Sequence, residues 1–230
     1  MNSMKNQGEP STKKRKLSTE EDSYSAIEKL NDDCLEYIFQ FLSVADRIRI
    51  ERVCRKWKKV AKNSWTKFKV LNLDAKYLGL KPSNIRHEIP TITDHITEEI
   101  LKRCGRYLKK IDSNFLKLTD FMCLVAKYCK NIQTITYVRV TVQGLKTLIR
   151  NCNNISDLYL SYYLEKPKED TLLGELFSKN RKLRALKFCI SDGFGECLLK
   201  LPLAEMEKLA ISFFLRNAAC RKHVINHVRF

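Results

Sequence analysis

"LNDDCLEYIFQFLSVADRIRIERVCRKWKKVA", residues 30–61, is the stretch on whose reading the fold turns. Leu35, Ile38, Phe39 and Leu42 sit at i, i+3, i+4 and i+7, which makes them one stripe of a helix. Asn31, Asp32 and Asp33 precede the stripe and supply an N-cap oxygen and negative charge at the positive end of the helix dipole. Ser43 interrupts the pattern, and Asp46 is placed to help start the next segment. There Ile50, Val53, Cys54, Trp57 and Ala61 form a second stripe of helical period. Arg47, Arg49, Arg52, Arg55, Lys56, Lys58, Lys59 and Lys62 fall mostly off it. A pair of helices this short has a core too small to offset chain entropy alone. Tyr37 and Phe41 lie off the first stripe, so apolar surface remains for the rest of the chain or a partner to cover.

The surrounding chain has 230 residues, 44% hydrophobic and 30% charged, a composition of folded proteins rather than disordered ones. No apolar run reaches membrane-spanning length and the N-terminus lacks the apolar core of a secretory signal, so the expectation is an intracellular protein. Nine cysteines, with no Cys-x-x-Cys pair, are expected as free thiols. The net charge of +17 attracts phosphate backbones, anionic membranes or acidic proteins, and says nothing about the fold. Residues 1–24 offer almost nothing to bury and read as a disordered basic arm. Within it Lys13, Lys14, Arg15 and Lys16 resemble a nuclear-import signal.

Beyond residue 66 the sequence repeats itself. "LKKI", "IQTITY", "ISDLYL", "LRALKF" and "MEKLAI" begin at Leu108, Ile132, Ile155, Leu183 and Met206, at spacings of 24, 23, 28 and 23. Most follow apolar-x-x-apolar-x-apolar; the first departs because Ser113 takes the last position. "FKVLNL" from Phe68 is an earlier copy, and helical runs such as "ITEEILKRCGRYL" and "VQGLKTLIRNCNNI" lie between copies. A helix, a turn and a short strand recurring at this period resemble a leucine-rich repeat. Cys104, Cys129 and Cys152, near the helix-to-strand corners, resemble its cysteine-containing variety. "EKPKED", residues 165–170, reads as a surface loop within the long unit. The chain is expected to be α/β. A helical module over 26–66 precedes a short leucine-rich-repeat solenoid over 67–230, with about six strands in a parallel sheet. The last residues, 215–230, are expected to cap its far end.

Alternation along the strands assigns a face. Val70, Asn72 and Asp74, then Lys110, Asp112 and Asn114, then Thr134, Thr136 and Val138 point to the concave side. Asp157, Tyr159 and Ser161, then Ala185, Lys187 and Cys189, then Lys208, Ala210 and Ser212 follow. The face is mixed in charge, which suits protein recognition better than phosphate tracking. Its candidate target-binding residues are Asn72, Asp74, Lys110, Asp112, Thr136, Asp157, Tyr159, Tyr162 and Lys187. The tyrosines are the candidate anchors.

Catalytic signatures were sought and are missing from the sequence: no phosphate-cradling Gly-rich loop, no Gly-x-Ser-x-Gly and no His-Glu-x-x-His. Cys220, His223 and His227 have ligand-like spacing but no fourth donor nearby, so no metal site is assigned. Neither enzyme activity nor a cofactor is expected. Cys54 sits amid Arg52, Arg55 and Lys56, an electropositive setting that favours the thiolate.

Residues 30–61 resemble an F-box. The resemblance rests on Leu30, Asp33, Leu35, Ile38-Phe39, Leu42, Ser43-Val44 and Val53-Cys54-Arg55-Lys56-Trp57. Asn31 stands where the family usually has Pro, a change expected to weaken the turn that meets the adaptor. The resemblance implies a helix break near Cys54 and makes Cys54 a packing residue between helices. It also implies a non-catalytic substrate receptor of a Skp-cullin-F-box ubiquitin ligase, part of the ubiquitin-conjugation pathway to proteasomal degradation. Leu30, Leu35, Ile38, Phe39, Leu42 and Val44 are then the adaptor-binding residues, with Val53 and Trp57 in the module's core. The repeats would bind a target protein, and the complex would work in nucleus or cytoplasm, with no membrane partner. A basic nuclear scaffold, associated with proteins or nucleic acid and without a ligase role, is the other reading the charge leaves open.

Overall fold

The computed structural model describes residues 27–80, 93–113, 121–137, 141–164, 167–191 and 195–214. The chain divides into two compact units, residues 1–31 and 32–230. Of the first, a turn is described in which the Leu30 N–H donates to the Ile27 carbonyl. The basic cluster Lys13–Lys16 lies outside the described residues, as do Asn114, Val138 and the segment 215–230.

The second unit opens with three short helices, α1 (Asp32–Phe39), α2 (Val44–Ile50) and α3 (Arg55–Ser64). Local chemistry sets the breaks between them. Ser43 is the N-cap of α2: its Oγ accepts from the Asp46 N–H at 3.2 Å and donates to the Asp46 carboxylate at 2.8 Å. The break near Cys54 is present, and its cause is a cap. Cys54 is extended (φ −157°), exposed, and its Sγ accepts from the Trp57 N–H at 3.4 Å. It is therefore no packing residue between helices. The first stripe turns toward α3, where Val60 and Ala61 are buried, and the Phe39 ring lies 5.3 Å from that of Trp57. Leu35 and Phe39 are 0% and 2% exposed, worth about 1.5–3 kcal/mol each in transfer free energy.

After a 3-10 turn at Trp65–Lys67 the chain enters a parallel sheet of six strands in chain order: β1 (Val70–Asn72), β2 (Lys110–Ser113), β3 (Thr134–Tyr137), β4 (Asp157–Leu164), β5 (Ala185–Ser191) and β6 (Lys208–Phe214). Between strands run α4 (Ala75–Leu78), α5 (Asp94–Cys104), α6 (Phe121–Tyr128), α7 (Val142–Asn151) and α8 (Pro167–Lys179). The strand register aligns Leu71, Ile111, Ile135, Leu158, Leu186 and Leu209, successive copies of one apolar position in the sequence repeat. Ser113, the exception in the pattern, is buried without penalty because its Oγ donates to the Thr136 carbonyl.

Each crossover helix buries one side. In α5 these are Thr97, Ile100, Leu101 and Cys104, in α7 Gly144, Leu145, Leu148 and Ile149. Thr93 and Thr141 cap these two helices through their hydroxyls. The corners then stack. Gly105 after α5 lies so close to Tyr128 that a Cβ would collide with the Tyr128 Cβ and crowd its carbonyl, and the Asn131 side chain donates to the Arg106 carbonyl. Cys104, Cys129 and Cys152 are fully buried at successive corners. Asn180 takes the same place at the next, accepting from the Ile155 N–H and donating to the Cys152 carbonyl.

One loop reading is corrected. Residues 167–170 of "EKPKED" are the first turn of α8, with Pro167 opening the helix where its missing N–H costs nothing. Glu169 and Asp170 are buried there. The Asp170 carboxylate accepts from the N–H groups of Gly195, Glu196 and Cys197, tying α8 to the segment before β6.

Candidate functional site

The end of α1 carries the apolar surface left uncovered. Tyr37 is 63% exposed and Phe41 74%, their rings 5.1 Å apart, and Ile38 beside them is 39% exposed. They project because the Leu35–Phe39 stripe is taken by α3, which leaves the flanking positions outward. Three of the six expected adaptor-binding residues are covered within the chain itself. Leu35 and Phe39 are sealed by α3, and Val44 joins the continuous core beneath the sheet. Leu42 is half-buried, and Leu30 lies in the turn before α1. Val53, expected in the core, is 60% exposed, while Trp57 is half-buried against Phe39.

Behind this surface the module is fastened to the sheet. Arg47, 2% exposed, donates to the carbonyls of Gln40 (2.6 Å), Leu42 (3.3 Å) and Ser64 (3.2 Å). Its guanidinium also sits over the rings of Trp65 and Phe68, at 5.2 and 5.1 Å. Burial holds its pKa below the ordinary arginine value. Glu51 accepts from the Trp65 indole N–H at 3.1 Å and from Arg103 of α5. Burial works against the Arg103 charge, but Glu51 and Glu99 raise its pKa overall. At Gly79 (φ +73°) a Cβ would strike the Ser43 side chain, so α2 lies directly on the start of the first crossover. Neither Arg47 nor Glu51 carries a role in the sequence pattern. An Arg among many looks solvated until carbonyls from residues 40, 42 and 64 are brought around it.

Residues 27–69 match the family model of the F-box domain. This F-box is the helical region that precedes the parallel sheet. F-box domains bind Skp-type adaptors within cullin-RING ubiquitin ligases, and the match suggests an adaptor-binding role for this region. F-box proteins are as a rule receptors without catalysis of their own.

On the sheet, register places Asn72, Asp112, Thr136, Tyr159 and Lys187 in one row, and Lys110 and Asp157 in the row beside it. Two expected face positions depart. Asp74 lies past the end of β1, its carboxylate accepting from the Lys76 N–H, and Ala185 is buried. Tyr162 falls on β4 where pairing with β5 shifts between Tyr159 and Tyr163. Tyr159 is half-buried, and burial, assisted by Asp157, raises its phenol pKa. Among the described residues no group of His, Cys, Asp or Glu could hold a metal, and no helix is long and apolar enough to cross a membrane. Cys220, His223 and His227 lie outside the described residues.

Proposed function

We propose that this chain is the substrate receptor of a Skp-cullin-F-box ubiquitin ligase, with the six-stranded sheet a leucine-rich-repeat array that holds the target protein. The observation that carries the reading is an F-box match over 27–69 whose α1 leaves Tyr37, Ile38 and Phe41 exposed. Apolar side chains gathered at one helix end favour burial against a partner. The adaptor surface is then Tyr37, Ile38 and Phe41, with Leu42 at its margin. The target surface is the row Asn72, Asp112, Thr136, Tyr159 and Lys187, supported by its register across five neighbouring strands.

In this role the chain makes no bonds itself. It raises the effective concentration of target lysines near a charged ubiquitin-conjugating enzyme. The fastening at Arg47 and Glu51 supports the same reading, because a stiff join keeps the docked target at a fixed distance from the adaptor. Work in the nucleus, with Lys13–Lys16 as the import signal, or in the cytoplasm belongs to this proposal. The test is co-purification of the Skp-type adaptor and cullin with the full chain. Ile38→Asp with Phe41→Asp abolishes it while the thermal melt is preserved. Retention of adaptor by that double variant, with its fold intact, would sink the reading.

A further inference from the structure

The net charge of +17 includes exposed cations on helices and strands alike, among them Arg52, Lys58, Lys110 and Lys187. Lys62, Arg106, Lys130, Arg150, Arg181 and Lys182 are all exposed, and among the described residues none has a carboxylate partner. They share one place in the fold. Lys62 and Arg150 stand two residues before Ser64 and Cys152, Arg106 two after Cys104, Lys130 one after Cys129, and Arg181 and Lys182 directly after Asn180. All are at the helix-to-strand corners, and the corners are stacked in register by Asn131 to the Arg106 carbonyl, Asn180 to the Cys152 carbonyl and Lys179 to the Ile149 carbonyl. Packed helices stand about 8–10 Å apart, so the corners that carry these cations recur at roughly that interval.

Helix-dipole stabilisation accounts for part of this row: Lys62 and Arg150 lie in last turns, and Lys130 Nζ donates to the Ala126 carbonyl. It does not account for Arg106, Arg181 and Lys182, which lie beyond the helix ends. Nearby acids are already engaged or few. Glu98 holds Lys127, Glu99 holds Lys102 and Arg103, and Glu207 holds Arg184. Glu51 beside Lys62 holds Arg103, and Glu175 on α8 and Glu205 beside Lys182 are nearby acids without an ion pair among the described residues.

We infer that this corner row is a binding surface for the phosphate backbone of a nucleic acid. Protein partners are anchored by apolar or aromatic groups in the middle of the contact. Here the aromatic rings along the row are covered by cations of the chain itself: Arg106 and Lys69 over Tyr107, Lys127 over Tyr128. Evenly repeated cations without an apolar anchor suit a polyanion gripped by charge alone, at any register and without reading bases. The inference does not rest on the F-box reading, although Lys62 lies within the matched residues.

Anisotropy of a labelled DNA duplex of about 20 base pairs, titrated with the full chain from 50 to 200 mM salt, tests it. Six phosphate contacts give a slope of about −5 in log affinity against log salt, close to a 10³-fold loss over that range. Changing all six residues to Gln brings the slope near zero, and Arg106→Gln or Lys130→Gln alone reduces it by about one, with thermal melts verifying the fold. Six changes elsewhere (Lys13, Lys14, Arg15, Lys16, Lys29 and Lys76 to Gln) leave the slope in place. An unchanged slope in the corner variants, no binding by the wild type at the lowest salt, or displacement by polyglutamate better than by unlabelled duplex at equal charge each overturns the proposal. The last outcome would point to an acidic polypeptide.

Discussion

Arg103 and Glu51, 52 residues apart in sequence, meet at the seam between the F-box and the sheet, with Arg103 Nε 3.3 Å from one carboxylate oxygen and 3.2 Å from the other. Their side chains are 27% and 10% exposed, so water screens the pair only in part. Glu51 also accepts from Trp65, and its removal strands two donors. Glu51→Gln is expected to cost about 1–3 kcal/mol in urea unfolding. A double-mutant cycle with Arg103→Gln should return a coupling of about 1 kcal/mol or more. Coupling near zero would show the two parts held together by apolar packing alone.

Arg47 is the second fastening. A planar guanidinium reaches three carbonyls and two ring faces at once, which an ammonium does not. Arg47→Lys is therefore expected to destabilise by about 2 kcal/mol or more, and Arg47→Met by about 3–5 kcal/mol, because buried carbonyls are left unpaired. Denaturant midpoints check both. If Arg47→Lys unfolds at the wild-type midpoint, the hydrogen bonds to Gln40, Leu42 and Ser64 contribute little.

How far the sequence reaches depends on the range of the interaction. Copies of one apolar motif at Leu108, Ile132, Ile155, Leu183 and Met206 placed the strands, because each unit buries the same positions against its neighbour. The next corner was also legible: Asn180-x-x-Leu183-x-x-Leu186 repeats Cys129-x-x-Ile132-x-x-Ile135, with Asn for Cys. What escaped is the choice of neighbour. The stripe of Leu35 and Phe39 is a real face of α1, but periodicity does not say whether α3 or a partner covers it, and α3 does. Asp170 and Arg47 look like solvated charges until distant backbone groups surround them.

The cysteines divide by burial. Burial pushes the Cys104 thiol up to about 12 and the Cys152 thiol up to about 11, and raises Cys129 and Cys197 as well. Cys34 and Cys54 are exposed. Thiolate is the reacting form, so iodoacetamide at pH 8 should label Cys34 and Cys54 and spare the four buried thiols until denaturant is added. Peptide mass spectrometry reads the sites. Labelling of Cys129 as fast as Cys54 in native buffer would mean that the corner opens readily.

Asp170 makes the acid side of the stability profile specific. Burial opposes its charge, but the Cys197 thiol and the N–H groups of Gly195, Glu196 and Cys197 hold its carboxyl below the usual aspartate value. A depressed native pKa stabilises the fold above the unfolded value, near about 4, and the contribution fades as pH falls through the native pKa. Asp170→Asn should therefore cost about 1–2 kcal/mol at pH 7, the size of a lost cap. The gap to wild type should narrow steadily as pH is lowered below about 4, where wild-type Asp170 takes up its own proton. Urea midpoints for both proteins across that range measure it. A gap that stays constant from neutral to acid pH would mean that the ionised form of Asp170 contributes nothing, and that its shape alone positions the turn before β6.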